Sequence, residues 1–160
     1  MSTASTVRII KAMANAPGMT EVEVENFLSK QKTPMRLGTS EVNGDPQIHP
    51  VWYHFENGKL YLMSDKSVRK VQNIRRKSTV YFSVDTDAVP NKGVKGKGNA
   101  KILTEPAKIV PLAEKIVAKY LGDAKGGMGK GLVDSVKSGS EVVVEITPHY
   151  YSVWDYSKMR

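Results

Sequence analysis

The 160-residue chain has no cysteine, which removes disulfides, thiolate metal sites and thiol nucleophiles together. Aromatic residues are few, at 8%, and no apolar run reaches the ~20 residues that a bilayer-spanning helix needs. Of the three histidines, His49 and His54 lie five positions apart and His149 is remote. No carboxylate is spaced to complete a zinc set with them, so no metal is expected. The opening MSTASTVRII lacks the basic start and long apolar run of a secretory leader, and the expectation is a cytoplasmic protein without a membrane partner. A nucleophile elbow, a Walker loop and a dinucleotide fingerprint are all missing. Gly93, Gly96 and Gly98 have no strand-to-helix context after them, and the glycines from Gly126 to Gly131 have no strand before them.

What is present is positive charge. Lys and Arg number 24 against 16 Asp and Glu, a net +8, and such an excess attracts polyanions or phosphorylated small molecules. A nucleic-acid partner is the weaker of these readings, because an anionic small molecule accounts for the same charge. The length suits one domain with a real core.

The pattern from Val7 to Met13 suggests a short helix interrupted at Pro17-Gly18, so residues 1–30 are expected as a helical extension of a single 1–160 domain. Thr20 and Glu23 have capping-box spacing, with Val24, Phe27 and Leu28 on one face of a helix from Glu21 to Lys30. Strands are expected at Met35–Thr39, at 47–55 beyond the Asn43-Gly44 turn, and at Lys59–Met63, forming an antiparallel meander. A helix over Asp65–Arg76, strands at Thr79–Val84 and Val94–Leu103, and a helix from Pro106 to about Gly122 follow. The glycine-rich 122–131 stretch is expected to be a mobile loop, and two strands, Glu141–Ile146 and Tyr151–Asp155, flank Pro148. The sum is a mainly β, barrel-like fold with peripheral helices.

Ser64, Ser67, Arg69 and Lys70 fall at a strand end and along the first turns of a helix, a place where free amides, hydroxyls and cations can converge on an anion. Arg75 and Arg76 extend the positive face, and the same residues also suit an ordinary surface helix with solvated charges. On the central strand of the expected meander, His49-Pro50-Val51-Trp52-Tyr53 offers backbone groups to a planar ligand, with Trp52 or Trp154 covering a ring; both tryptophans equally suit a core. His49, Tyr53 and Tyr151 could donate protons, but the sequence names no catalytic residue.

The ordered stretches Met35–Thr39, Asn43–Tyr53, Gly58–Leu62 and Arg69–Arg76 resemble the pyridoxamine 5'-phosphate oxidase-like split β-barrel family of FMN enzymes and deazaflavin F420-dependent reductases. The likeness runs from Thr20 to Leu103, with a terminal strand pair beyond. It implies that His49, Pro50, Val51 and Trp52 line a flavin ring, that Met63 and Ser64 flank a ribityl phosphate, that Arg69 and Lys70 grip the phosphate, and that Trp154 is the late aromatic near the ring. It also implies a homodimer with two cofactor sites at the interface. The expected function is hydride exchange between FMN and a small organic substrate. F420 is the alternative, with Lys92, Lys95, Lys97, Lys125 and Lys130 available to its acidic tail, and a noncatalytic flavin or haem storage protein is a third reading. The substrate-binding arginine and histidine signature of true pyridoxamine phosphate oxidases does not occur around Thr147–Trp154, so the likeness does not extend to vitamin B6 oxidation.

Overall fold

The computed structural model describes residues 7–159. In chain order the elements are β1 (Arg8–Lys11), α1 (Glu21–Lys30), β2 (Met35–Ser40), β3 (Pro46–Val51), β4 (His54–Glu56), β5 (Lys59–Asp65), α2 (Arg69–Arg76), β6 (Thr79–Asp85), β7 (Lys92–Leu103), α3 (Pro106–Leu121), α4 (Gly127–Lys137), β8 (Glu141–Asp155) and a 3₁₀ turn, Tyr156–Lys158. The eight strands form one sheet in the order β3-β2-β6-β7-β8-β5-β4, with β1 added on β8. β3 and β4 stand at opposite ends of that order, yet only Trp52 and Tyr53 join them. Three peptide steps reach about 10 Å, so the sheet must curl until its ends almost meet without pairing. That is a split barrel, and it corrects the expected meander in part: the expected strand 47–55 divides at Trp52-Tyr53 into β3 and β4, β4 forms the expected hairpin with β5, and the other edge of β5 pairs with β8 rather than any part of β3.

Inside the barrel, Leu28, Met35, Leu37, Tyr53, Leu60, Leu62, Val80 and Ile146 are all 1% exposed or less. Tyr53 donates its hydroxyl to the carbonyls of Leu28 at 2.7 Å and Gln31 at 3.2 Å, so it ties the end of α1 to the barrel mouth. α1 begins where its cap spacing indicates, with Glu23 N donating to Thr20 Oγ1 at 3.2 Å. A second core, of Tyr61, Leu103, Ile109, Leu112, Ala113, Val136 and Val143, lies outside the sheet under α3 and α4.

Four expectations change for identifiable reasons. Arg8–Lys11 is a strand, because β5 covers only residues 141–146 of β8 and leaves the edge at Tyr150–Val153 for β1 to pair in parallel; residues 1–6 of the expected helical extension lie outside the described residues. The 122–131 stretch is not a loop throughout: α3 ends at Gly122 in the left-handed conformation, φ +77°, and α4 starts at Gly127. A Cβ on Gly129 would overlap the Asp123 carbonyl oxygen and come within 2.8 Å of Val117, so glycine lets α4 approach α3. Pro148 does not end a strand, since β8 runs through it beside a register shift at Lys97/Gly98. A bulge tolerates the missing proline amide. Finally, α2 begins at Arg69, because β5 continues to Asp65.

Candidate functional site

β3 is an edge strand, bonded only to β2, and two of its six residues are prolines that cannot donate to a further strand. Side chains alternate along it. Val51 closes the barrel core, and Ile48 faces outward at 71% exposure. His49, one position along, faces the start of α2, where burial lowers its pKa and the charge of Lys70 lowers it further. The imidazole is therefore neutral near pH 7.

The start of α2 is electrostatically unusual. Its cap position is Val68, which provides no side-chain hydrogen bond, and its first turn has no acid but begins Arg69-Lys70. Cations belong at the other end of a helix, where Arg75 and Arg76 indeed sit. Lys70 is half-buried, and burial lowers its pKa against the opposing pull of Glu141 and Asp65. Arg69 Nη1 lies 3.5 Å from Glu41 Oε1. Asp65 Oδ1 accepts from Ser67 N at 2.7 Å and from Ser67 Oγ at 2.6 Å, which engages the Ser67 hydroxyl in the turn. Those bonds hold the Asp65 carboxyl below its ordinary value. Ser64 is buried at the end of β5, its hydroxyl donating to the Asp65 carbonyl at 3.3 Å.

Asn73, on the buried side of α2, fixes this junction to the sheet. Its Nδ2 donates to Thr39 Oγ1 at 3.1 Å and Gln47 Oε1 at 3.4 Å, while Arg76 donates to the Ser40 carbonyl. Asn73 carried no sequence signal of its own, and only its place among Val71 and Ile74 on the buried helix face could have marked it.

The structure thus gathers His49, Ser64, Ser67, Arg69 and Lys70 around one strand-to-helix junction. Other expected residues go elsewhere. Met63 points under α3 into the second core, away from Ser64. Trp52, at the end of β3, is 37% exposed and stacks on Tyr120 of α3, with centroids 5.0 Å apart and planes within 4°. Trp154 lies over Gly93 of the neighbouring strand and donates from Nε1 to Asn91 Oδ1 at 2.5 Å. By strand alternation Trp154 shares the outer sheet face with Ser152 and Tyr150, opposite to the His49 side of β3.

That outer face carries a groove of about 690 Å³, lined by Ile10, Arg36, Ile48, Tyr81, Lys95 and Tyr150 among others. No carboxylate lines it, whereas Arg36, Lys77 and Lys95 do. Neither α3 nor α4 reaches this half of the sheet, and Ile48, Tyr81 and Ile10 remain 71%, 53% and 39% exposed. Of the other lysines expected near an acidic tail, Lys125 lies before α4, and Lys130 pairs with Asp134 at 2.5 Å. Among the described residues no three His, Asp or Glu side chains form a metal-holding group, and no helix is long and apolar enough to cross a membrane.

A family model described as pyridoxamine 5'-phosphate oxidase matches residues 20–155. No curated protein matches the sequence. Among solved structures, a conserved hypothetical protein from Mycobacterium tuberculosis is 26% identical, with 92% of this chain and 91% of that one covered at a TM-score of 0.78. An F420 reductase is 20% identical, covering 78% of this chain and 93% of that one at 0.62. A FAD-binding protein from Mesorhizobium loti is 18% identical, covering 87% and 96% at 0.66.

Proposed function

Because the chain belongs to the pyridoxamine 5'-phosphate oxidase family, with a split barrel whose edge strand meets a cationic helix start, we propose that it binds FMN and acts as a flavin-dependent oxidoreductase on a small organic substrate. One observation carries this reading: the first turn of α2 holds two cations, no acid and no side-chain cap. Free amides and cations at one helix start repel each other, and a phosphate dianion relieves both. From His49 to Trp52 the β3 edge spans about 10 Å at ~3.3 Å per residue. That length separates a phosphate end, at Arg69 and Lys70, from a ring end, at Pro50 and Trp52.

A bound flavin supplies hydride chemistry through its ring. This chain's residues bind and orient it: Arg69 and Lys70 take the phosphate, Ser64 and the α2 amides line its approach, and neutral His49 offers a hydrogen bond without adding charge. Ser67 joins them only after leaving Asp65. Titration with FMN, followed by quenching of flavin fluorescence, tests the proposal. A dissociation constant above roughly 100 μM, weaker than about −5.5 kcal/mol, would defeat it.

The reading includes a homodimer. Trp154 and the α2 cations stand on different faces of one chain, and a two-fold partner laid on the uncovered sheet face would complete each site from both chains. An F420 reading is favoured by the groove of Arg36, Lys77 and Lys95 without acids, which suits a carboxylate-bearing tail. Parallel titration with F420 separates the two.

A further inference from the structure

Between β4 and α3, away from the α2 junction, Lys119 occupies an unusual setting. Its Nζ lies 3.7 Å from the centroid of the Tyr53 ring and 5.3 Å from that of Tyr120. It donates to the Tyr53 carbonyl at 3.3 Å. Among the described residues no carboxylate forms an ion pair with it, since Glu56 of β4 is engaged by Lys115 at 2.5 Å. Nearby His54 has its Nε2 buried without a hydrogen-bond partner, 3.8 Å from Glu56. The charged or titratable groups facing this cluster are thus Lys32, Tyr53, His54, Glu56, Lys115 and Tyr120. Beside the amine, Tyr120 stacks on the partly exposed Trp52.

An amine withdrawn from water, with another cation near it and no acid paired to it, is in the environment that activates a lysine as a nucleophile. Burial, with the Lys32 charge adding to it, pushes Lys119 down to about 8.

We propose that Lys119 is a covalent capture site for planar aldehydes, its amine condensing with the aldehyde carbonyl to an imine while the aldehyde's ring lies against the Trp52–Tyr120 stack. The free amine's electron pair forms the C–N bond, the carbonyl C–O bond breaks, and the oxygen leaves as water. Nothing is oxidised or reduced, and no further reactant is needed. The condensation needs no flavin, although the Trp52 against which the aldehyde ring lies also stands at the ring end of the proposed flavin site.

At pH 7.5 a pKa near 8 leaves about a quarter of the amines free, against about one in a thousand for an ordinary lysine. Lower basicity gives back roughly a tenfold in nucleophilicity. Lys119 should therefore react about twentyfold faster than the typical member of the 17 other lysines, which serve as internal controls. The experiment incubates the full chain with limiting benzaldehyde or, separately, propanal, traps imines with cyanoborohydride and maps the modified lysines by peptide mass spectrometry. Expected are preferential labelling at Lys119, a rate rising with a midpoint near pH 8, and a preference for benzaldehyde over propanal that disappears in Trp52→Leu. Lys119→Arg should lose only that label, with an unchanged circular dichroism spectrum. Labelling of Lys119 at the rate of the other lysines overturns the site, and equal reaction with both aldehydes overturns the planar class.

Discussion

Replacing Arg69 by methionine separates a phosphate ligand from a structural residue, because the two roles move different measurements. Arg69 is the first residue of α2, with a side chain 69% exposed and Glu41 3.5 Å away. An exposed ion pair of that kind is worth ~0–1 kcal/mol, while a cation in the first turn costs ~0.3–1 kcal/mol against the helix dipole. The two nearly cancel, so the stability of the unliganded protein should stay within about 1 kcal/mol. For a chain of this size that is a melting shift of at most about 2–4 °C. FMN loses a charge-assisted hydrogen bond worth ~1.5–3 kcal/mol, a weakening of about 10- to 150-fold. Riboflavin, which has the same ring and no phosphate, should bind the variant and the parent equally. Isothermal titration with both ligands, beside a thermal melt without ligand, measures all three quantities. Equal loss of FMN and riboflavin affinity, or a melt lowered well beyond the stated range, would refute the assignment of Arg69 to the phosphate.

Two glycines of α4 should respond with opposite signs: Gly131→Ala, where nothing lies within 4 Å of the new Cβ, stabilises by ~0.5–1 kcal/mol through helix propensity. Gly129→Ala destabilises by ~1–3 kcal/mol through overpacking against the Asp123 carbonyl and Val117, and urea unfolding reads both. Tyr53→Phe removes the donor that holds the carbonyls of Leu28 and Gln31 and should cost ~1–3 kcal/mol in the same assay. Lys119 titrates near 8 when folded and near ~10.4 when unfolded. Between those values the unfolded chain holds a proton that the folded chain has released. Stability relative to Lys119→Met should therefore rise from pH 8 to about 10.4, and this contribution should be lost as pH falls through 8; urea midpoints at four pH values check the sign. In light scattering at low micromolar concentration the 17.7 kDa chain should appear at twice that mass, and Ile48→Glu, on the uncovered face, should halve it without changing the circular dichroism spectrum.

Local pattern went far with this protein. The Thr20 cap, the apolar stripe of Ile109, Leu112, Ala113, Ile116 and Val117, and the alternating residues of β2 and β6 are short-range signals, and the helices and strands form where they indicate. The cations at the start of α2 were visible for the same reason: a strand end followed by a helix start is a local event. Motif order was enough to indicate a split barrel.

Where short-range signals misled, a distant partner had decided. Arg8–Lys11 extends because a vacant edge of β8, some 140 residues later, accepts it. Gly127–Lys137 is helical despite its glycines because α3 offers a surface that only small residues can approach closely. Pro148 stays within a strand because β8 itself bulges there, with His149 as the extra residue opposite Lys97 and Gly98 of β7. The placement of the candidate site follows the same division. Residue types for holding an anion are a property of the chain, and Met63 and Ser64 part by the local alternation of one strand, but the curling that parts β3 from β4 and sets Trp154 on the opposite face from His49 depends on pairings across the whole sheet. Such pairings are long-range free-energy choices that no local window of residues contains.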